Sequence, residues 1–345
     1  MKKIFISLFL VAVALVSCEK YDTVKSVDTD FKRNFEAFWT MVDEQYCYLD
    51  YKNIDWQAVH DELLPRVEAA KTEQEFFNIL GTALDHLRDG HVWMVSNFKT
   101  YSCKTYLFDE NNVRYPENYN ASVVKNNYVK EMFHTFESDL NFGEIERNGR
   151  KIAYIHYSGF EKDWVDNDYK YLEPIVKGAD GIIFDIRNNP GGSGILGIEL
   201  AGLFFNEKTL VGYHSIKNGV GHNDFSEPKP IYVKPVKNHD WSYKKTMLLT
   251  NREVYSTANL FTSILKHANN VTQIGGISGG GGAMPMTHIL PNGWFVIFPA
   301  NVLYDVNKQH IESGIAPDIE VTATDEELAA GRDAIIERAI EEILK

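Results

Sequence analysis

Gly181–Ile182–Ile183–Phe184–Asp185–Ile186–Arg187–Asn188–Asn189–Pro190–Gly191–Gly192 is the stretch on which the fold turns. Its first half is a short apolar run that ends in charge, the pattern of a buried strand. Its second half sets Asn, Pro and two consecutive glycines at the strand's end. Backbone N–H groups there can approach a ligand closely, as an oxyanion hole requires. The same alternation recurs on either side. Ile152–Ala153–Tyr154–Ile155 is a second such run, and Lys245 to Leu249 is a third that feeds a helical pattern from Ala258 to His267. Strand then helix, repeated, specifies an α/β core over residues 151–345. Later strands are expected around Trp294–Phe298 and Asp318–Val321. A closing helix is expected from the Thr324/Glu327 cap through the stripe Ala334, Ile335, Ala339, Ile340 and Ile343.

Upstream of residue 151 the pattern differs. Phe35, Phe38, Trp39 and Val42 fall at i, i+3, i+4 and i+7, and Phe76, Ile79, Leu80, Ala83, Leu84 and Leu87 form a second stripe. Thr72 with Glu75 is a capping box at the start of that second stripe. A helical domain is therefore expected over 31–91. Residues 92–150, rich in Tyr, Asn and β-branched side chains, predict a small β-rich connecting segment. The whole chain has 345 residues, 44% hydrophobic and 24% charged, the composition of a folded protein rather than a disordered one. Its 35 Lys and Arg against 48 Asp and Glu argue against a nucleic-acid partner, whose phosphates need a basic surface. Three cysteines are too few for a disulfide scaffold at this length.

The first residues read as an address. Met1–Lys2–Lys3 is basic, and Ile4 to Val16 is a nearly unbroken apolar run. That run falls short of the roughly 20 residues a membrane-spanning helix needs and has the length of a signal-peptide core. It ends Leu15–Val16–Ser17–Cys18, which resembles the lipobox of bacterial lipoproteins. The resemblance implies a signal peptide over 1–17, lipidation on Cys18 and a lipid-anchored tether over 18–30. The location it implies is the bacterial cell envelope, facing periplasm or cell surface. Cys47 and Cys103 then remain, and the sequence leaves their pairing open.

Two glycine motifs match familiar patterns without their context. Gly192–Ser193–Gly194–Ile195–Leu196–Gly197 fits G-x-G-x-x-G, but Leu210–Val211–Gly212–Tyr213–His214 supplies no acid where a dinucleotide site needs one. Gly276–Ile277–Ser278–Gly279–Gly280 fits G-x-S-x-G, but Gly281, Gly282 and Pro285 follow, where a nucleophile elbow requires a helix.

Thr250 to Ala258 joins a strand to a helix and puts Ser256 at the helix N-terminus. A serine there is ordinarily an N-cap, yet the same orphan N–H groups and helix dipole favour negative charge beside its hydroxyl. Around it the chain resembles the C-terminal processing (tail-specific) peptidases, particularly the tricorn-like branch that works with a histidine. Four blocks match in order: Leu87–Arg88–Asp89–Gly90–His91, the Asp185–Gly192 strand end, Tyr255–Ser256–Thr257–Ala258, and Glu312 to Ile319. Ile54–Asp55–Trp56 also resembles this branch.

The resemblance implies a crotonase-like α/β core preceded by the helical domain and the β-rich segment. It implies Ser256 as nucleophile, His91 as base, and Glu312 as the carboxylate that orients the imidazole directly or through an intermediary. The oxyanion hole would come from Gly191 and the Thr257 N–H, with Gly192 as neighbouring candidate. The chain departs from its relatives in places. Ile277 to Gly282 lacks the lysine of the Ser–Lys dyad that many members use, Asn259 stands where many carry Glu, and Gly90 stands where the tricorn protein has serine. Between His91 and Ile152 there is no room for the PDZ domain of many relatives. The function implied is a lipid-anchored serine peptidase that hydrolyses peptide or protein substrates through an acyl-enzyme, with no metal or organic cofactor. The alternative is a non-catalytic lipoprotein that binds a peptide or lipophile on the same fold.

Overall fold

The computed structural model describes residues 28–109, 111–164 and 166–345, so the expected signal peptide, Cys18 and most of the tether lie outside the described residues. Three helices come first: α1 (Phe31–Gln45), α2 (Trp56–Ala69) and α3 (Glu73–Asp85). Asp30, Asp55 and Thr72 cap them, and the Thr72–Glu75 capping box is formed. Short strands β1 (Trp93–Val95), β2 (Thr100–Ser102) and β3 (Phe133–Thr135) follow, then the longer β4 (Leu140–Arg147) and β5 (Arg150–Tyr157). The core continues through α4 (Asp166–Gly178), β6 (Gly181–Asp185), α5 (Gly194–Ala201), β7 (Thr209–Ile216), β8 (Lys229–Val233), β9 (Thr246–Thr250) and α6 (Thr257–Leu265). It ends with β10 (Val271–Gly275), β11 (Ala283–Ile289), β12 (Phe295–Tyr304), β13 (Ile319–Glu320), α7 (Asp325–Ala329) and α8 (Ala334–Leu344).

Among the described residues the larger sheet runs β13-β10-β9-β6-β5-β4-β3. It is parallel from β13 to β5 and antiparallel beyond. Every residue of β6 and β9 is buried, because helices cover both faces. Ile182 and Phe184 pack with Leu172, Leu200 and Phe261 from α4, α5 and α6. Ile183, pointing the other way, meets Ile335, Ile336 and Ile340 of α8. Each such side chain taken out of water stabilises by about 1.5–3 kcal/mol, which fixes both layers on the sheet. The second sheet, antiparallel, runs β2-β1-β12-β7-β8, with β11 also on β12. Its Met94, Val296, Phe298 and Val302 share one core with Phe35, Phe38, Trp56 and Leu80 of the three helices.

Two expectations change in detail. Residues 92–150 feed both sheets: β1 and β2 join β12, whereas β3 and β4 extend the parallel sheet. The closing helix is two helices, since Gly331 turns the chain at φ 83° and Asp333 starts α8 afresh, accepting from the N–H groups of Ile335 and Ile336. Parallel β6 and β9 are neighbours, so the loops leaving their carboxyl ends, 186–193 and 251–256, meet. Crevices of this kind are where α/β sheets bind ligands.

Candidate active site

Where β6 ends, a buried ion pair sets the loop. The Arg187 guanidinium clasps both oxygens of Asp185, through Nε at 2.9 Å and an NH2 nitrogen at 2.6 Å, and donates its other nitrogen to Asp333 at 2.8 Å. All three side chains are buried, and removing one partner would leave an uncompensated charge. The next residues lash the two loops together. Tyr255 N–H donates to the Asn189 carbonyl at 3.0 Å, and the Asn188 N–H donates to Asn251 Oδ1 at 3.0 Å. Gly191, at φ 104°, lies flush against the next segment. A Cβ there would sit 2.8 Å from Ser256 Cβ, the Thr257 nitrogen and the Tyr255 carbonyl alike. Its own N–H donates to Asn189 Oδ1 at 2.9 Å. Gly192 follows, and its carbonyl accepts from the Thr257 hydroxyl.

Ser256 occupies the N-cap position of α6 with φ 56° and ψ −121°, a conformation L residues rarely adopt, and its side chain makes no capping bond. Its Oγ instead lies 2.8 Å from His91 Nε2. The Thr257 N–H is first in the helix and has no intrahelical acceptor. The strained serine is held in place by its neighbours, since its N–H donates to the Gly280 carbonyl and Tyr255 is pinned on Asn189.

His91 arrives on a tight turn after α3. Arg88 takes φ 46°, and Asp89 Oδ1 accepts the His91 backbone N–H at 2.9 Å. The ring packs edge-on against Tyr255 with centroids 5.0 Å apart. Burial pushes the imidazole's pKa below its ordinary value; the Asp89 carboxylate works against that and Lys52 adds to it. A histidine so placed is neutral at physiological pH and can accept a proton on Nε2. Its Nδ1 has no hydrogen-bond partner among the described residues.

Glu312 is buried in the same cluster but bonds elsewhere. Its Oε1 meets Lys52 Nζ at 2.7 Å, and its Oε2 accepts the Gly282 N–H at 2.7 Å. Burial, with Asp89 as a like charge nearby, raises its pKa to about 7 although Lys52 pulls the other way. Asp89 goes the opposite way: burial lifts it, yet Lys52 and His91 hold it below the ordinary carboxylate value. Asp89 also accepts from Tyr255 Oη at 3.1 Å and Tyr46 Oη at 2.9 Å, and the Gly90 N–H donates to Tyr255 Oη at 2.9 Å. A side chain at Gly90 would collide with the rings of Tyr106 and Tyr255, so the serine of the tricorn protein has no place here.

The structure thus brings together Ser256, His91, Gly191, Gly192 and Thr257, and links Glu312 to the His91 turn through Lys52 and Asp89. Lys52, Asp89, Tyr46 and Tyr255 were not singled out from the sequence. Asp89 and Tyr255 sat inside the quoted blocks, whereas Tyr46 and Lys52 lie in a stretch that reads only as helical. Ser278, the G-x-S-x-G serine, is fully buried; it donates to Asn259 Oδ1 at 2.7 Å and accepts the Ile315 N–H at 2.7 Å. Asn259 and Ser278 together hold the loop that carries Glu312. Among the described residues no group of three His, Cys, Asp or Glu side chains is placed to hold a metal ion.

Comparison with known proteins shows the family. The model of peptidase family S41 matches residues 151–321, and that of the tricorn protease C1 domain matches residues 27–85. A carboxyl-terminal-processing protease of Picosynechococcus sp. is 27% identical over 179 residues, which cover 50% of this chain and 40% of that protein. The chain therefore matches well under half the length of that relative. The crystal structure of a putative peptidase from Parabacteroides merdae is 35% identical, covers 92% of this chain and 98% of its own, and superposes with a TM-score of 0.84. Mature CPAF complexed with lactacystin, at 10% identity, covers 91% of this chain and 97% of its own with a TM-score of 0.68, a likeness of fold. Fold and site together define a serine-peptidase class of α/β protein. The chain belongs to peptidase family S41, the C-terminal processing serine peptidases.

Proposed function

We propose that this chain is a serine peptidase of the bacterial cell envelope, anchored through lipid on Cys18, that hydrolyses peptide bonds through an acyl-enzyme on Ser256. The observation that carries it is Ser256 itself: strained at a helix start, declining to cap, with Oγ 2.8 Å from a histidine depressed toward its neutral form. In this reading Oγ attacks the scissile carbonyl carbon as its proton passes to His91 Nε2. The tetrahedral oxyanion is received by the Thr257 N–H, aided by the dipole of α6, and by Gly192. Gly191 N–H joins them when it releases Asn189. His91 then returns the proton to the leaving amine, and water, activated by the same base, frees the acyl group. The imidazolium formed meanwhile lies beside the ionised Asp89. A crotonase-like core fits the parallel sheet that carries these loops. Substrates are peptide or protein segments, with carboxy-terminal processing the mode the family name suggests.

A non-catalytic binding lipoprotein has no use for a strained serine aimed at an imidazole. The experiment is digestion of a peptide library by purified mature protein, read by mass spectrometry. Cleavage is expected for the wild type and not for Ser256→Ala; equal cleavage by both defeats the proposal. Palmitate labelling that survives Cys18→Ala defeats the anchoring part alone.

A further inference from the structure

The mechanism above leaves the half-buried charge of Lys52 without a task. Lys52 sits in the turn after α1, far in sequence from the core, yet its ammonium reaches the back of the site. We propose that Lys52 is a positioning residue for the base: by bridging Asp89 and Glu312 it ties the His91 turn to the helices and to the Glu312 loop, and its cation opposes charge on the imidazole. The inference rests on the reading of Ser256 and His91 given above and names a residue that the reading does not use.

The geometry argues for it from three sides. Lys52 Nζ lies 2.7 Å from Glu312 Oε1, 3.2 Å from Asp89 Oδ2, 3.1 Å from the Leu87 carbonyl and 2.9 Å from Tyr46 Oη. Leu87 and Asp89 belong to the turn that delivers His91, so one ammonium group spans that turn and the Glu312 loop. The cation is permanent: burial works against its charge, but the two carboxylates outweigh burial and hold its pKa above the ordinary lysine value. Lys52 therefore does not substitute for the absent dyad lysine as a base. Without the ammonium, two carboxylates would share a buried space and could not both stay ionised. Other groups facing this space are Tyr46, Cys47 and Tyr48 from the helical side, His91 from the turn, Tyr255 from the Ser256 segment and Arg252 from the loop after β9. Of these His91 is held below its ordinary value by burial, and Glu312, raised to about 7, is the group beside them that changes charge near neutrality. The Lys52–Glu312 pair also lines a cleft of about 540 Å³, which connects its ionisation to bulk solvent.

The test compares wild type, Lys52→Met and Lys52→Arg with two readouts. One is the pH dependence of fluorophosphonate labelling at Ser256; the other is the titration of the His91 ring followed by NMR, which needs no turnover. In Lys52→Met, labelling at neutral pH should fall by about tenfold or more. The acid limb and the His91 midpoint should both move to higher pH, because the cation opposing the imidazolium is gone while Asp89 remains. Lys52→Arg keeps the cation and should restore the midpoint. If Lys52→Met does not fold, the double variant Lys52→Met/Glu312→Gln removes the cation together with one carboxylate, and the same upward shift is expected. An unmoved His91 midpoint with wild-type labelling overturns the proposal. A wild type that never labels, with a midpoint that still follows Lys52, counts against the Ser256 reading and for the hold of Lys52 on His91.

Discussion

Ser256 stands where a helix cap stands and does not cap. The sequence alone weighs toward the cap, because Ser before a helix is common and a nucleophile is rare. What favours the proposed nucleophile is the backbone: φ 56° with ψ −121° costs on the order of 1–3 kcal/mol, and such strain persists where the surroundings over-determine it. In the proposed mechanism His91 and Ser256 act in one proton transfer, so their losses should not add. Ser256→Ala and His91→Ala are each expected to lower kcat by on the order of 10³-fold or more, with the double variant hardly worse. Multiplying losses in the double variant would count against a shared step. The pH profile follows from the same residue. A base must be neutral to act, so activity rises as pH climbs through the His91 midpoint, and burial places that midpoint below the ordinary value of about 6.5. An acid limb of kcat/KM lying above that value would contradict the assignment.

The strand-end loop of β6 was legible from Gly181–Gly192 because a buried run followed by Asn, Pro and paired glycines has few other uses. The parallel core, the first helices and both capping boxes were legible for similar local reasons. What the sequence hid was long-range. β1 pairs with β12 some two hundred positions away, with β2 on its other edge, and β11 with its exposed Met284 and Met286 lacks the alternation that marks a strand. The split between α7 and α8 hangs on Gly331 and Asp333, a break that an apolar stripe does not reveal. Ser256, His91 and Glu312 were singled out through the four blocks. Lys52 escaped, because a lysine in a polar turn carries no pattern until the fold delivers it to two carboxylates. At this scale the sharpest prediction concerns Gly191. Adding a Cβ would press on Ser256 Cβ and the Thr257 nitrogen at 2.8 Å and strain a φ of 104°. Gly191→Ala should therefore lose most peptidase activity while Glu62→Ala, exposed on α2, does not; an active Gly191→Ala would show that the loop and Ser256 are not held so closely.

Across the molecule, the helices and the two sheets converge on one buried electrostatic cluster. Tyr48 Oη donates to the Gly282 carbonyl at 2.7 Å and Lys52 meets Glu312, while Gly282 N–H donates to Glu312, so the helical side grips two core loops that are bonded to each other. The cluster also shapes stability against pH. Glu312 titrates near 7 when folded against an ordinary 4.5, so the folded state holds a proton that the unfolded chain releases. Its contribution is complete below about pH 4.5 and is lost as pH rises toward about 7. Asp89 shifts downward, so its contribution is lost only at more acid pH. Thermal melts should show wild type losing Tm relative to Glu312→Gln between about pH 5 and about pH 8; a gap that stays constant would refute the raised Glu312. The central claim, that Ser256 is a nucleophile served by His91, is tested most directly by reacting the full chain with a fluorophosphonate and mapping the adduct by mass spectrometry. The account predicts a single phosphonylated residue, Ser256, with labelling abolished in Ser256→Ala and strongly slowed in His91→Ala. An adduct on Ser278, or none on any serine, would contradict it.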